Sequence, residues 1–304
     1  MVAIAAALWG SDGLFRRGLA VELPAATVVM IEHAILVGLT SPLLVRAIRV
    51  LKSLRPAEWV ALIAIGAGAS ALATLLFTEA FTYGDPTTPL LLQKLQPLFA
   101  IAGAAIILDE RLLPRFGLYF IAAVSGAYLI SFPDPTDVSV SGLAPAALSI
   151  AAAGLWGFGT VLGRYLLSRI TFPELTALRF AIGLPAAAIM VVVQDGGESL
   201  ATIGRQDAVA LLLLAAVPGF LGVWLYYRGL MRTPASAATL AELAFPISAV
   251  TINYLAFGTT LEPNQWVGVA LLSVTVLTMS AASRRGPAAI GIALHRRVVG
   301  RVAG

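Results

Sequence analysis

The chain has 304 residues, 59% of them hydrophobic and 12% charged, against about 25% charged in a soluble globular domain. That deficit, with a mean hydropathy of +0.90, excludes an ordinary water-soluble globule and predicts an all-α, multi-pass membrane protein. With no cysteine and only His33 and His295 as histidines, disulfides, thiolate chemistry and Cys- or His-rich metal sites are excluded, and no cofactor is expected.

Taken in order, apolar runs long enough to cross a bilayer fall at about 1–20, 25–47, 57–83, 86–108, 114–132, 141–168, 173–195, 206–231, 235–257 and 263–283. The first has no basic n-region, and no small-residue cleavage site follows the break at Trp9-Gly10-Ser11, so it reads as a membrane helix rather than a signal peptide. Between the runs lie Pro24, Pro56, Asp85-Pro86, Pro114, Pro133, Pro173, Gly196-Gly197, Pro234 and Pro263. Proline suits the first turn of a helix, where its missing donor costs nothing. The stretch 284–304 is a basic tail, expected in the cytoplasm.

With the N-terminus placed in the cytoplasm, 15 of the 20 basic residues fall in inside loops or the tail. Arg16, Arg17 and Arg205 fall outside, and Lys94 and Arg179 fall within spans. The positive-inside rule therefore predicts cytoplasmic N- and C-termini. The net charge of +4 is then a sign of topology, and no nucleic-acid partner is expected. Arg16 and Arg17 break the bias and read as residues at a cavity mouth.

The fourth span carries Leu92-Gln93-Lys94-Leu95-Gln96-Pro97-Leu98-Phe99. A charge facing lipid near mid-bilayer costs roughly 3 kcal/mol or more, so these polar groups are expected to point inward. The stretch is echoed by Leu240-Ala241-Glu242-Leu243-Ala244-Phe245-Pro246-Ile247, with Gln93 on Glu242 and Pro97 on Pro246 at an offset of 149. The same offset matches Pro24 with Pro173, Glu58 with Asp207 and Pro114 with Pro263, and an offset of 147 matches Leu8-Trp9-Gly10 with Leu155-Trp156-Gly157. Two halves, 1–132 and 141–283, would each hold five spans. Five is odd, so the halves are expected in opposite orientations, as inverted repeats about an axis in the membrane plane.

These motifs resemble the drug/metabolite transporter superfamily, and in particular its ten-helix EamA-type members. The residues that carry the resemblance are Leu8-Trp9-Gly10-Ser11, the Leu92–Phe99 stretch, Asp109-Glu110-Arg111-Leu112 and Leu155-Trp156-Gly157. The second half departs from the pattern at Gly258-Thr259-Thr260, which replaces the acidic pair Asp109-Glu110. Within the superfamily the chain looks most like the YddG-type amino-acid exporters of the bacterial inner membrane. The resemblance implies export of amino acids or related metabolites, with nucleosides or sugars as the alternative class.

The candidate pathway residues are Trp9, Glu79, Tyr83, Gln93, Lys94, Trp156, Tyr227 and Glu242. Trp9 and Trp156 each precede a glycine on the first helix of a half, where an indole lines a site with a large face and one donor. Lys94 lies roughly 12 Å into its span. It either pairs with a carboxylate, for which Glu79 is the candidate, or meets the solute. Tyr83 is placed in the cavity because Phe77 and Phe81 cluster with it beside Glu79. Glu242 either carries a proton or forms a fixed pair with Lys94.

Glu32, His33 and Arg179 are further candidates for ion coupling or ion pairing. Arg179 would pair with Glu174 or with a solute anion, and a structural hydrogen bond is the plainer role for His33. There is no H-E-x-x-H, G-x-S-x-G or G-x-x-x-x-G-K-[ST] sequence, which argues against an intramembrane enzyme and a nucleotide-driven pump. A channel would need a continuous polar pore. The expectation is a non-enzymatic carrier of a small organic solute, monomer or homodimer, working by alternating access.

Overall fold

A computed structural model describes residues 1–83, 87–107, 115–132, 134, 140–167, 169–195, 197–230 and 244–285. Glu242, the corner Asp109–Leu112 and the tail beyond Arg285 lie outside the described residues, as do the side chains of Tyr227, Pro97 and Pro246. Every regular element among the described residues is helical. Among the described residues, six helices are long and apolar enough to cross a membrane: Ala25–Leu51, Pro56–Tyr83, Thr88–Ile107, Gly142–Gly163, Phe172–Gln194 and Arg205–Tyr226. Phe116–Ile130 and Ile247–Phe257 are shorter apolar helices. Val60, Ile106, Val193 and Leu255 are between 68% and 81% exposed. Side chains of that kind facing outward on long apolar helices mark a surface made for lipid.

The first expected span is two helices, α1 (Val2–Gly10) and α2 (Asp12–Glu22). At the break the hydrogen bonds close one residue early. The Ser11 hydroxyl donates to Leu8 O at 2.6 Å and the Ser11 N–H donates to the same oxygen at 3.0 Å. Together they occupy the carbonyl that the next amide would take in a continuous helix. Helix α3 (Ala25–Leu51) follows. The third span runs through α4 (Pro56–Ile63), a π-helical stretch Ala64–Leu72 and α5 (Ala73–Ala80).

The fourth comprises α6 (Thr87–Leu92), a 3₁₀ turn Gln93–Leu95 and α7 (Gln96–Ile107). Pro97 has no N–H to return to the carbonyl of Gln93, and Gln96 N–H bonds it instead, one residue early. The lysine therefore sits in a tightened turn.

Next come α8 (Phe116–Ser131), α9 (Val140–Leu166) and α10 (Phe172–Asp195). The eighth span is α11 (Arg205–Leu214), a second π-helical stretch Ala215–Gly222 containing Pro218, and α12 (Val223–Leu230). Helices α13 (Ala244–Phe257) and α14 (Pro263–Arg285) complete the described chain.

The main packing pairs are α3 with α10, α8 with α14, α7 with α9 and α1 with α13. Two of these contacts are close because a glycine faces backbone. A Cβ on Gly10 would lie 2.9 Å from Ala249 N, and one on Gly157 would lie 2.8 Å from Gln96 O and 2.9 Å from Ala100 N. Thus α1 sits against α13, and α9 sits against α7.

Glu58 and Asp207 have the same task at the offset of 149. Glu58 Oε2 accepts from Arg55 N at 2.8 Å, and Asp207 Oδ2 accepts from Gly204 N at 2.7 Å, so each caps the start of its helix. Glu58 also meets Arg169 Nε at 3.4 Å, although that arginine is 42% exposed. The Glu58→Ala variant should therefore lose roughly 1–2 kcal/mol, chiefly from the cap. Chemical unfolding in detergent measures this, and an unchanged midpoint would show that the cap carries no weight.

Candidate functional site

At the centre, α1, α5, α9 and α13 converge on an apolar cluster. Phe77, Phe81, Leu90, Phe245 and four alanines are buried there, with Trp9 and Trp156 packed against them. Phe77 meets Trp156 at 5.2 Å between ring centroids and Phe81 at 5.1 Å, both edge to face. Trp9 lies 4.9 Å from Tyr226. Its indole has room because Gly222 has no side chain: a Cβ there would be 2.7 Å from Nε1.

Lys94 comes in from the 3₁₀ turn, with Nζ 3.7 Å from the centroid of Phe245. An ammonium over an aromatic face is held by the ring quadrupole. Gln96 Nε2 donates to Thr160 Oγ1 at 3.2 Å, and that hydroxyl donates to Trp156 O at 3.0 Å. The arrangement offers aromatic faces and edges, one cation and a few uncharged polar groups. It suits a flat, largely apolar solute.

In the first half of α2 stands a group that sequence reasoning missed. Arg16 is only 2% exposed, and all five of its N–H donors are engaged. Nε and Nη2 donate to Asp12 at 2.6 and 2.9 Å, Nη1 and Nη2 donate to Glu32 at 3.1 and 3.3 Å, and Nη1 also donates to Thr78 at 2.7 Å. The sequence reading puts this arginine at a cavity mouth because it breaks the charge bias. The signal for its burial was present in Asp12, four residues earlier on the same helical face.

Glu32 thus takes Arg16 as its partner, and the adjacent His33 turns elsewhere. His33 Nδ1 lies 2.9 Å from Val29 O and Nε2 lies 3.0 Å from the Ser70 hydroxyl. A carbonyl can only accept, so Nδ1 carries a proton, and in the neutral ring Nε2 then accepts from the Ser70 hydroxyl. The ring is wedged between α3 and the first π-helical stretch, with Phe180 edge-on at 6.0 Å.

Arg179 does not pair with Glu174, whose Oε2 is taken by the amide and hydroxyl of Thr171. Its guanidinium carbon lies 5.6 Å from the Phe180 ring centroid. Glu79 forms no ion pair with Lys94 among the described residues. Tyr83 is 47% exposed and stands apart from the Phe77–Phe81 pair. Gln93 lies half-buried in the 3₁₀ turn. Tyr226 is the tyrosine seen against Trp9, and the side chain of Tyr227 lies outside the described residues. A separate shallow, apolar groove lies between α10 and the junction of the second π-helical stretch with α12, lined by Phe172, Thr176, Phe180, Phe220, Val223 and Trp224.

A model of the EamA-like transporter family matches residues 1–132 and 144–281. The chain is 31% identical over 289 residues to the riboflavin transporter ImpX of Fusobacterium nucleatum, covering 92% of this chain and 96% of the relative. It is 25% identical over 255 residues to a riboflavin transporter of Brucella anthropi, covering 82% and 86%. It is 24% identical over 286 residues to the uncharacterized transporter YwfM of Bacillus subtilis, covering 93% and 94%. One solved crystal structure superposes with a TM-score of 0.64 at 17% identity, over 93% of this chain and 98% of that one, a likeness of fold.

Proposed function

We propose, from the premise that this chain belongs to the EamA-like transporter family and is a membrane transporter rather than an enzyme, that its solute is riboflavin or a close planar heteroaromatic relative. The observation that carries this reading is the aromatic cluster of Trp9, Phe77, Phe81, Trp156 and Phe245, with Lys94 over Phe245. Flat rings stack on or pack edge-on to such a cluster, and a cation complements electron-rich ring oxygens. Two relatives named as riboflavin transporters lend the same support. Amino-acid export, which the sequence resemblance implies, fits less well. A zwitterion needs a carboxylate for its ammonium group, and of the described carboxylates Asp12 and Glu32 are taken by Arg16, which leaves Glu79 for that part.

The transporter is placed in a bacterial inner membrane, with ten spans in two inverted halves and both termini cytoplasmic, as monomer or homodimer. It works by alternating access around the aromatic cluster. The paired caps at Glu58 and Asp207, a π-helical stretch in the third and eighth spans, and the seating of each half's first helix against the other half support the inverted pairing.

Counterflow in proteoliposomes tests the solute. Labelled riboflavin should accumulate in exchange for unlabelled riboflavin held inside, and labelled amino acids should not. Exchange of amino acids without exchange of riboflavin would reject the reading. Lys94→Met should lower riboflavin counterflow about tenfold, as expected for the loss of a desolvated cation–π and ligand contact. The protein should remain monodisperse, and full flux in this variant would remove Lys94 from the pathway.

A further inference from the structure

Asn253, on α13, is 1% exposed, and neither Nδ2 nor Oδ1 has a hydrogen-bond partner among the described residues. An interior amide left open at both ends is a standing cost to the fold, and native interiors contain few of them. The apolar helix Ile247–Phe257 could carry leucine there without that cost.

The surroundings say what the amide faces. A Cβ on Gly13 of α2 would lie 2.8 Å from Leu90 Cδ1 and 3.4 Å from both Asn253 Oδ1 and Phe81 Cε1. The amide, the edge of Phe81 and Leu90 therefore border one spot beneath α2. Phe81 is in turn in contact with Phe77, and Phe77 with Trp156. Asn253 is thus a polar rim on the aromatic cluster.

A carboxamide has a donor and an acceptor side by side. Its complement is a ring edge with the same pair reversed: an N–H beside a carbonyl. An amino-acid zwitterion also brings a donor and an acceptor, but its tetrahedral ammonium and its carboxylate do not lie side by side in one plane as the two groups of a ring edge do. We propose that Asn253 is the polar anchor of the solute site and reads the imide edge of a planar ring, with Oδ1 accepting from the ring N–H and Nδ2 donating to a flanking carbonyl. In this structure α2 covers the amide. For the ring to reach the amide α2 must move off it, which requires the Arg16 contacts with Glu32 and Thr78 to part.

The inference rests on the reading of a planar solute. The imide edge is common to the flavin ring and to uracil, so the test carries both. Counterflow is measured for riboflavin, for N3-methylriboflavin, whose ring has lost the N–H, and for uridine. The wild-type protein should reject the methylated flavin by about tenfold or more. Asn253→Leu should lose riboflavin flux to a similar extent and no longer distinguish the two flavins. Its melting temperature without solute should stay level or rise, because an unpaired amide has been removed.

Equal flux of the two flavins through the wild-type protein would overturn the inference whether or not the variant folds, and would leave riboflavin transport standing. So would an Asn253→Leu variant that keeps both its flux and its discrimination. Asn253-dependent flux of uridine without flux of riboflavin would keep the anchor and reject the flavin. Exchange of amino acids alone would reject both readings.

Discussion

Arg16→Met is expected to destabilise the folded protein by roughly 3–5 kcal/mol, the usual cost of removing one partner from a buried ion pair. The substitution keeps much of the volume but strands Asp12 and Glu32, whose side chains are 13% and 7% exposed. Two carboxylates that shared one guanidinium would then repel each other in a poorly solvated interior. Arg16→Lys should recover only part of the loss, because three donors on a point charge cannot serve two carboxylates bidentately and Thr78 as well. The triple variant Arg16→Met, Asp12→Asn, Glu32→Gln should recover more, since no charge is left unpaired. Unfolding midpoints in detergent decide the matter. A loss below about 1 kcal/mol would be that of a solvated surface pair, and would refute the saturated cluster.

Gly157→Ala should cut transport by about tenfold or more and cost about 1–3 kcal/mol in stability, as expected for overpacking. The new methyl would lie 2.7 Å from Phe99 Cβ as well as close to two backbone atoms of α7. Backbone cannot turn aside as a flexible side chain can, so α9 and α7 must move apart. Helix α7 continues directly from the turn that carries Lys94, and the displacement reaches the aromatic cluster. Gly154→Ala is the matched control, three residues earlier on α9. Its methyl would be 3.7 Å from the nearest atom of Phe99, an ordinary contact, and flux should be unchanged. Similar counterflow in the two variants would show that the close approach at Gly157 is incidental.

The lipid-facing helical character of the chain was legible in the runs of apolar residues. Six expected runs coincide with helices long and apolar enough to cross a membrane. The effect of Pro97 was legible too, because a missing N–H acts within one turn. What escaped the sequence was partnership across distance. Arg16 finds Thr78, 62 positions away, and Gln265 Nε2 donates to Ile130 O across 135 positions. No periodicity encodes such pairs.

The expected Lys94–Glu79 pair is not among the ion pairs of the described residues. Neighbouring spans need not turn their polar faces towards each other, and Lys94 was met by Phe245 from the other end of the chain. The break at Ser11 lay between: Gly10-Ser11 marked an interruption, but it was read as punctuation within one span rather than as a boundary between two helices.

The seat of α1 has a consequence for biogenesis. Gly10 is closed over by Phe245, Ser248 and Ala249, residues synthesised about 240 positions later. Helix α1 must therefore wait, its glycine face uncovered, until α13 has been made. Contacts of such separation slow assembly. Until α13 arrives, that face of α1 needs lipid or a chaperone to shield it.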